Sequence, residues 1–202
     1  MHKEYDELMM KLRKFTFTLG IRSFSIDEIC KKTFTPKSLM TKYIKNKSDL
    51  VEQLLRFERL KFQAIFDDYN FEDFNAIKVL IIVNREITLR FNDVSPSMTF
   101  DLQKFYPEQF NEHYKKEQEF ISEKIEINLH KGIEQKMYRK DINIDLIVHH
   151  YFPRLIELQN PTMIKTEKFS FGVLSEFIID LMIRGIATPK GIKYYEKEVN
   201  YK

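Results

Sequence analysis

The sequence predicts an all-α fold in two parts, a three-helix N-terminal domain over residues 1–47 and a larger helical domain over 48–202. Apolar residues recur at spacings of three and four through most of the chain, the period of a helix with one buried face. No segment alternates apolar and polar residues as a half-buried strand would, and 5 Gly and 6 Pro leave few of the turns that a β fold needs. Helix start signals stand just ahead of the periodic runs: Ser25 with Glu28, then Thr35-Pro36, Ser48 and Pro107. With 43% hydrophobic and 31% charged residues, the chain has the composition of a globular protein with a substantial core.

Residues 3–19 form the first predicted helix, with Leu8, Leu12, Phe15 and Leu19 on one stripe and Gly20 as the residue that ends it. Ser25 and Glu28 make a capping box, so a second helix starts at Ile26. Its apolar face is Ile26, Ile29 and Cys30, and Lys31 and Lys32 sit opposite, in the last turn where the helix dipole favours positive charge. Cys30, the single cysteine, reads as a small buried hydrophobe. Thr35 as a cap and Pro36 at the first helical position begin a third helix, striped by Leu39, Met40, Tyr43 and Ile44. Ser48 caps a long fourth helix that ends at Asp67–Asn70. At 1.5 Å per residue that helix spans roughly 30 Å, a stiff link able to carry a movement between domains.

Residues 72–92 read as a helix that is apolar all round over Val79–Val83, hence central in a core. Asn84, Arg85 and Arg90 behind that run either pair internally or face a cavity. A break at Ser95-Pro96 precedes a short helical piece over Met98–Tyr106. A long helix then runs from Pro107 towards Tyr138, with Phe110, Tyr114, Ile121, Ile125 and Leu129 on its dry side and Gly132 interrupting the pattern. Asp141 or Asn143 caps the restart. The last two long helices, near 144–159 and 168–187, carry too many apolar residues for one face, and Pro153 kinks the first. One side serves the chain's own core. The other is most simply covered by a second copy, giving a homodimer through a two-fold four-helix bundle. The tail beyond Thr188–Gly191 reads as a short frayed helix.

Charge is unevenly spread. Residues 1–47 hold 11 Lys and Arg against 5 Asp and Glu, whereas residues 48–202 hold 22 against 25. From Lys31 to Lys47 there are six Lys and no acid, the local concentration that phosphate neutralisation needs. Two short amphipathic helices joined by a tight turn are the helix-turn-helix, whose second helix is shaped for a DNA major groove. The same pattern also fits a solvated helical hairpin with ordinary surface lysines, and Lys11, Lys14 and Arg22 read equally as backbone contacts or as plain surface charge.

At these residues the chain resembles a known family. The segment Ile29-Cys30-Lys31-Lys32 followed by Pro36-Lys37-Ser38-Leu39-Met40-Thr41-Lys42-Tyr43-Ile44-Lys45-Asn46-Lys47-Ser48-Asp49-Leu50, with Phe17, Gly20, Ser25 and Ile26 ahead of it, is similar to the DNA-binding domain of TetR-family transcriptional repressors. The resemblance implies a dimeric regulator of double-stranded DNA that is released when a small effector binds its C-terminal domain. By position it implies phosphate contacts at Ser25 and Tyr43, a recognition helix over Pro36–Lys42, and the family's Lys at Lys47. Lys37, Ser38 and Lys42 are then the candidates for base edges, and Ser25, Thr41, Tyr43 and Lys47 for the backbone. Two departures stand out: Phe34 where the family has Gly in the turn, and Thr41 where it has Tyr. They leave open an alternative, a dimeric ligand-binding or interaction protein with a degenerate DNA-binding head.

Catalytic signatures are missing: the sequence has no G-x-S-x-G, no G-x-x-x-x-G-K-[ST] and no H-E-x-x-H, so no enzyme, cofactor or metal site is expected. The adjacent His149 and His150 point about 100° apart on a helix and suit a core or pocket better than a shared metal. A C-terminal domain that holds 14 of the chain's 18 Phe and 4 of its 8 Met suits an apolar or amphipathic effector, and helix faces suggest Phe62, Asn84, Phe105, Tyr114 and His149 as its lining. The charged N-terminus carries no signal peptide and no stretch is long enough for a membrane span, so a cytoplasmic protein is expected.

Overall fold

A computed structural model of the chain describes residues 3–91, 96–151, 153 and 170–200. The described elements are α1 (Lys3–Leu19), α2 (Ile26–Lys32), α3 (Lys37–Tyr43), α4 (Lys47–Asp67), a 3₁₀ turn (Phe71–Asp73), α5 (Ala76–Phe91), α6 (Pro96–Phe105) and α7 (Pro107–Glu134). A single turn, α8 (Ile144–Leu146), then runs into π-helical backbone over Ile147–Tyr151, and α9 (Phe171–Ile186) and α10 (Pro189–Asn200) follow. All the described regular structure is helical apart from one isolated bridge between Tyr138 and Ala187, so the all-α expectation holds. The described residues fall into two compact units, the first drawn from Met1–Phe62 and Asp93–Lys116, the second from Gln63–Asn92 and Glu117–Lys202. The first is larger than the expected 1–47 domain because Leu50, Leu54, Met98 and Leu102 belong to the same apolar cluster as Leu8, Leu12, Ile29 and Met40.

Two polar clamps shape the first unit. Arg13 on α1 and Glu58 on α4 form a two-pronged ion pair: Nε donates to Oε1, and Nη2 donates to Oε2 at 3.0 Å. Only 6% and 7% of these side chains are exposed, so each charge depends on the other for its solvation. The second clamp is Asp101 of α6, whose Oδ2 accepts from the backbone N–H groups of Ile21 at 2.9 Å and Arg22 at 2.8 Å. That carboxylate fits because Gly20, at φ +79°, has no side chain: a Cβ there would stand 2.8 Å from Asp101 Oδ2. Gly20 therefore ends α1 as expected, in a conformation that glycine tolerates best. The buried face of α1 is Leu8, Met9, Leu12, Arg13, Thr16 and Phe17, while Leu19 is exposed; the stripe is rotated from the expected one because it accommodates Arg13.

In the second unit α5 packs against α9 and α10. The polar residues behind its apolar run pair internally: Ser175 bonds Asn84, Arg85 reaches the Tyr69 hydroxyl at 3.2 Å, and Arg90 reaches Asp68 at 2.8 Å. Gly132 interrupts the stripe of α7 without breaking the helix. An ideal Cβ there would lie 1.9 Å from the Tyr138 ring, so the missing side chain makes room for an aromatic that folds back after α7 ends. The Tyr138 hydroxyl donates to Asn128 Oδ1 at 3.1 Å, and Asn128 Nδ2 donates to the carbonyl of Ala76 at 2.9 Å, tying α7 to the start of α5. Burial drives the Tyr138 phenol strongly upward, so it stays a neutral donor.

Several expected details change. Asn46, not Ser48, caps α4: its Oδ1 accepts from the Asp49 N–H at 2.9 Å, while the Ser48 hydroxyl accepts from Gln109 at 2.7 Å. Thr35 does not cap α3, because its hydroxyl is buried against that of Thr33 at 2.8 Å. The helix expected over 72–92 starts at Ala76, and α7 stops at Glu134. Of the two caps considered before α8, Asn143 is the one used, accepting from Leu146 N–H at 3.0 Å. The tail is no frayed helix: Thr188 caps α10, Tyr195 is buried, and Glu198 pairs with Lys78 of α5. His149 and His150 are exposed rather than set in a core. Of the helix expected over 144–159, residues 144–151 and 153 are described, with π-helical backbone over Ile147–Tyr151 and Pro153 helical; the bend expected at Pro153 depends on 152 and 154–159, which lie outside the described residues. On α9, Ile179, Met182, Ile183 and Ile186 are buried, while Val173, Phe177 and Leu181, one turn apart, form an exposed apolar stripe.

Removing one member of a buried ion pair strands its partner's charge. Glu58→Ala is therefore expected to destabilise the protein by about 3–5 kcal/mol in chemical denaturation, with Arg13→Met plus Glu58→Leu costing distinctly less. Equal losses would show that the pair is not desolvated as drawn.

Candidate nucleic-acid interface

The candidate interface is built on α2, the turn behind it and α3. The capping box is formed: Ser25 Oγ accepts from the Glu28 N–H at 3.2 Å, and Glu28 Oε2 accepts from the Ser25 N–H at 2.8 Å. The hydrogen bond from the Ser25 backbone, more than any other influence, holds the Glu28 carboxyl below its ordinary range. Ile29 and Cys30 face the core as expected.

At the end of α2 the chain makes a Schellman turn. Thr35 N–H donates to the carbonyl of Cys30 at 2.9 Å and Phe34 N–H to that of Lys31 at 3.3 Å. This motif puts its middle residue in the left-handed region, and Phe34 sits there at φ +51°. Glycine would suit the position; a side chain costs roughly 1–2 kcal/mol. The turn thus keeps the shape expected of a Gly-containing turn and bears the strain. The Phe34 side chain is 89% exposed and lines a shallow depression with Asp27, Lys31, Thr35, Pro36 and Lys37.

Met40 of α3 is fully buried, which turns Lys37, Ser38, Thr41 and Lys42 outward on one exposed face. Each of the cations is held by a neighbour. Lys37 pairs with Asp27 at 2.8 Å, and that hydrogen bond raises the ammonium above its usual range. Lys42 Nζ donates to Glu4 Oε1 of α1 at 2.5 Å, and the Tyr43 hydroxyl donates to the same oxygen at 2.8 Å. Tyr43 also meets the Tyr5 ring edge-on, with centroids 5.3 Å apart. Lys47 donates to the backbone carbonyl of Arg22 at 2.7 Å, and partial burial lowers its ammonium. Thr41 Oγ1 donates to the Lys37 carbonyl at 3.0 Å, turning its hydroxyl proton towards its own helix. Lys31, Lys32 and Lys45 add exposed charge around this face.

All seven expected DNA-facing residues therefore lie on α2, α3 or the helix boundaries beside them, within one compact unit. Glu4, which faces Lys42 and Tyr43, escaped the sequence reading because 38 and 39 residues separate it from them. The exposure of Phe34 was not read from sequence either, since it follows from the course of the turn.

The residues suggested for the effector are divided between the units. Phe62 is buried, Phe105 lies beneath the Arg22 guanidinium at 4.1 Å, and Tyr114 stacks on Phe110 with centroids 6.3 Å apart, all in the first unit. Asn84 and the exposed His149 belong to the second. Asn84 lines a groove with Ile81, Val173, Phe177, Tyr195 and Val199, a lining that includes two members of the exposed stripe of α9. Among the described residues no cluster of three or more His, Cys, Asp or Glu could hold a metal ion, and no helix is long and apolar enough to cross a membrane.

No protein-family model and no curated protein matches the chain. Solved structures do. The regulatory protein TetR from Rhodobacter sphaeroides is 15% identical with a TM-score of 0.71, over 92% of this chain and 100% of that one. The reduced form of E. coli NemR is 14% identical with a TM-score of 0.70, over 93% and 99%. FadR of Bacillus halodurans, a fatty acid degradation regulator, is 16% identical with a TM-score of 0.68, over 91% and 96%. The likeness is one of fold: the chain is built on the all-α architecture of TetR-family transcriptional regulators.

Because Phe34 carries left-handed strain while its ring is exposed, Phe34→Gly is expected to raise stability by roughly 1 kcal/mol, against the usual destabilising effect of glycine. Unchanged or lower stability in denaturant unfolding would mean that the ring contributes packing or that the turn is not left-handed.

Proposed function

We propose that this protein is a sequence-specific DNA-binding transcriptional regulator of the TetR type, a homodimeric repressor released from its operator by a small apolar or amphipathic effector. The observation that carries this reading is the exposed face of α3, where Lys37, Ser38, Thr41 and Lys42 project from a helix-turn-helix inside a seventeen-residue stretch with six Lys and no acid. In this reading residues 1–47 are the DNA-reading domain. Lys37, Ser38 and Lys42 meet base edges, and Ser25, Thr41, Tyr43 and Lys47 fix the backbone. On binding, base-edge acceptors replace the carboxylates of Asp27 and Glu4 as partners of Lys37 and Lys42, an exchange on an exposed surface, where a single ion pair has little worth. The Schellman geometry at Phe34 favours an intact head over a degenerate one.

The dimer is supported by the exposed stripe of Val173, Phe177 and Leu181, which a second copy of α9 would cover. An apolar effector is supported by the 18 Phe and 8 Met of the chain and by the fatty acid degradation regulator among proteins of the same fold. No catalytic role is proposed, and a regulator of this kind acts in the cytoplasm, where its DNA is.

Lys42→Ala is expected to weaken binding to the selected operator by roughly 1–3 kcal/mol if Lys42 pairs with a guanine. Affinity of the unaltered protein should fall steeply with salt, the logarithm of the binding constant declining linearly with that of salt concentration. A flat salt dependence, measured by fluorescence anisotropy, would contradict phosphate-dominated binding.

A further inference from the structure

Phe34 combines two features that each cost the free protein something. Its backbone is in the left-handed region, at φ +51°, where glycine would be unstrained. Its ring is 89% exposed, which leaves a large apolar side chain in water. Neither cost is recovered inside the chain, since a ring so exposed packs against little. Strain that persists without an internal reward points to a reward supplied from outside.

The surroundings indicate what supplies it. Phe34 lines one depression with Lys31, Lys37 and the Asp27 that pairs with Lys37. It stands three residues before Lys37, at the leading end of the helix that would enter the major groove, where a recognition helix presents its first residues to the bases. Within a stretch of six Lys and no acid, a protein partner of ordinary charge is poorly matched, and a polyanion is well matched. The apolar group that duplex DNA offers in its major groove is the C5 methyl of thymine, and phenylalanine is among the side chains that contact it.

We infer that Phe34 is a specificity-determining residue that reads a thymine methyl group in the operator, a reading that rests on the proposed function above. The strained turn places the ring outward, beside Lys37, so that base-edge hydrogen bonding and an apolar contact come from adjacent points on the same surface. Binding then covers the ring and removes the methyl from water.

The test uses the full-length protein and the duplex that it selects from a random pool. Each thymine of a half-site is replaced singly by deoxyuridine, which deletes only the methyl, and affinities are measured for the unaltered protein, Phe34→Gly and Phe34→Asn. One thymine is expected at which demethylation weakens binding of the unaltered protein by about fourfold, the worth of one buried methyl-sized group. Both variants should bind the thymine and deoxyuridine duplexes equally at that position. Gly and Asn both tolerate the left-handed backbone, so lost discrimination does not report a lost fold. The inference is overturned if no thymine is sensitive in the unaltered protein, or if the sensitivity survives in both variants. If the unaltered protein retains no duplex at all, the proposed function fails, and this inference with it; equal binding of every thymine and deoxyuridine duplex by the unaltered protein removes Phe34 alone.

Discussion

The geometry of the N-terminal head depends on a charge pair placed where charges are expensive. Arg13 and Glu58 lie within the apolar cluster that joins α1 to α4, and each is almost wholly removed from water. Such a pair adds little net stability over well-packed apolar residues, but it tolerates few alternative alignments, since its two parallel hydrogen bonds form in one register of α1 on α4. Asp101 then fixes the turn after α1 by accepting two backbone N–H groups. With α1 held at both places, its first turn brings Glu4 to Lys42 and Tyr43, so the position of α3 is set by contacts made far from it in sequence.

The electrostatics of the head are local. A net charge of +3 over the whole chain says little about DNA, whereas the stretch from Lys31 to Lys47 has no acid at all. Its lysines nevertheless meet acids from outside the stretch: Asp27 holds Lys37, and Glu4 holds Lys42. Exposed pairs of this kind are weak and are screened by salt, so they park the side chains without withdrawing them from a new partner. Phe34 differs, because no exchange of partners relieves its exposure while the protein is free.

Much of the head was legible from sequence. The capping box at Ser25 and Glu28, the burial of Ile29 and Cys30, the end of α1 at Gly20 and the strain at Phe34 all follow from short-range rules that act over three to six residues. What was not legible involves longer range or competition between neighbours. Asn46 displaced Ser48 as the cap of α4 because both residue types cap well and only the path of the chain decides between them. The packed state of α10 depends on Tyr195 reaching the core and Glu198 reaching Lys78, 120 residues away. Gly132 looked like a break in α7, and its meaning emerged only with the Tyr138 ring lying over it. The suggested effector lining rested on helix faces alone, which say which residues share a side of one helix but not which helices meet.

Whether the face of α3 reads DNA as part of a two-fold dimer is decided by selection from random-sequence duplex DNA at two salt concentrations. A two-fold-symmetric site should be recovered, with half-sites about 34 Å apart or a multiple of that, held more weakly at the higher salt. A folded, dimeric protein that retains no duplex at low salt would contradict it.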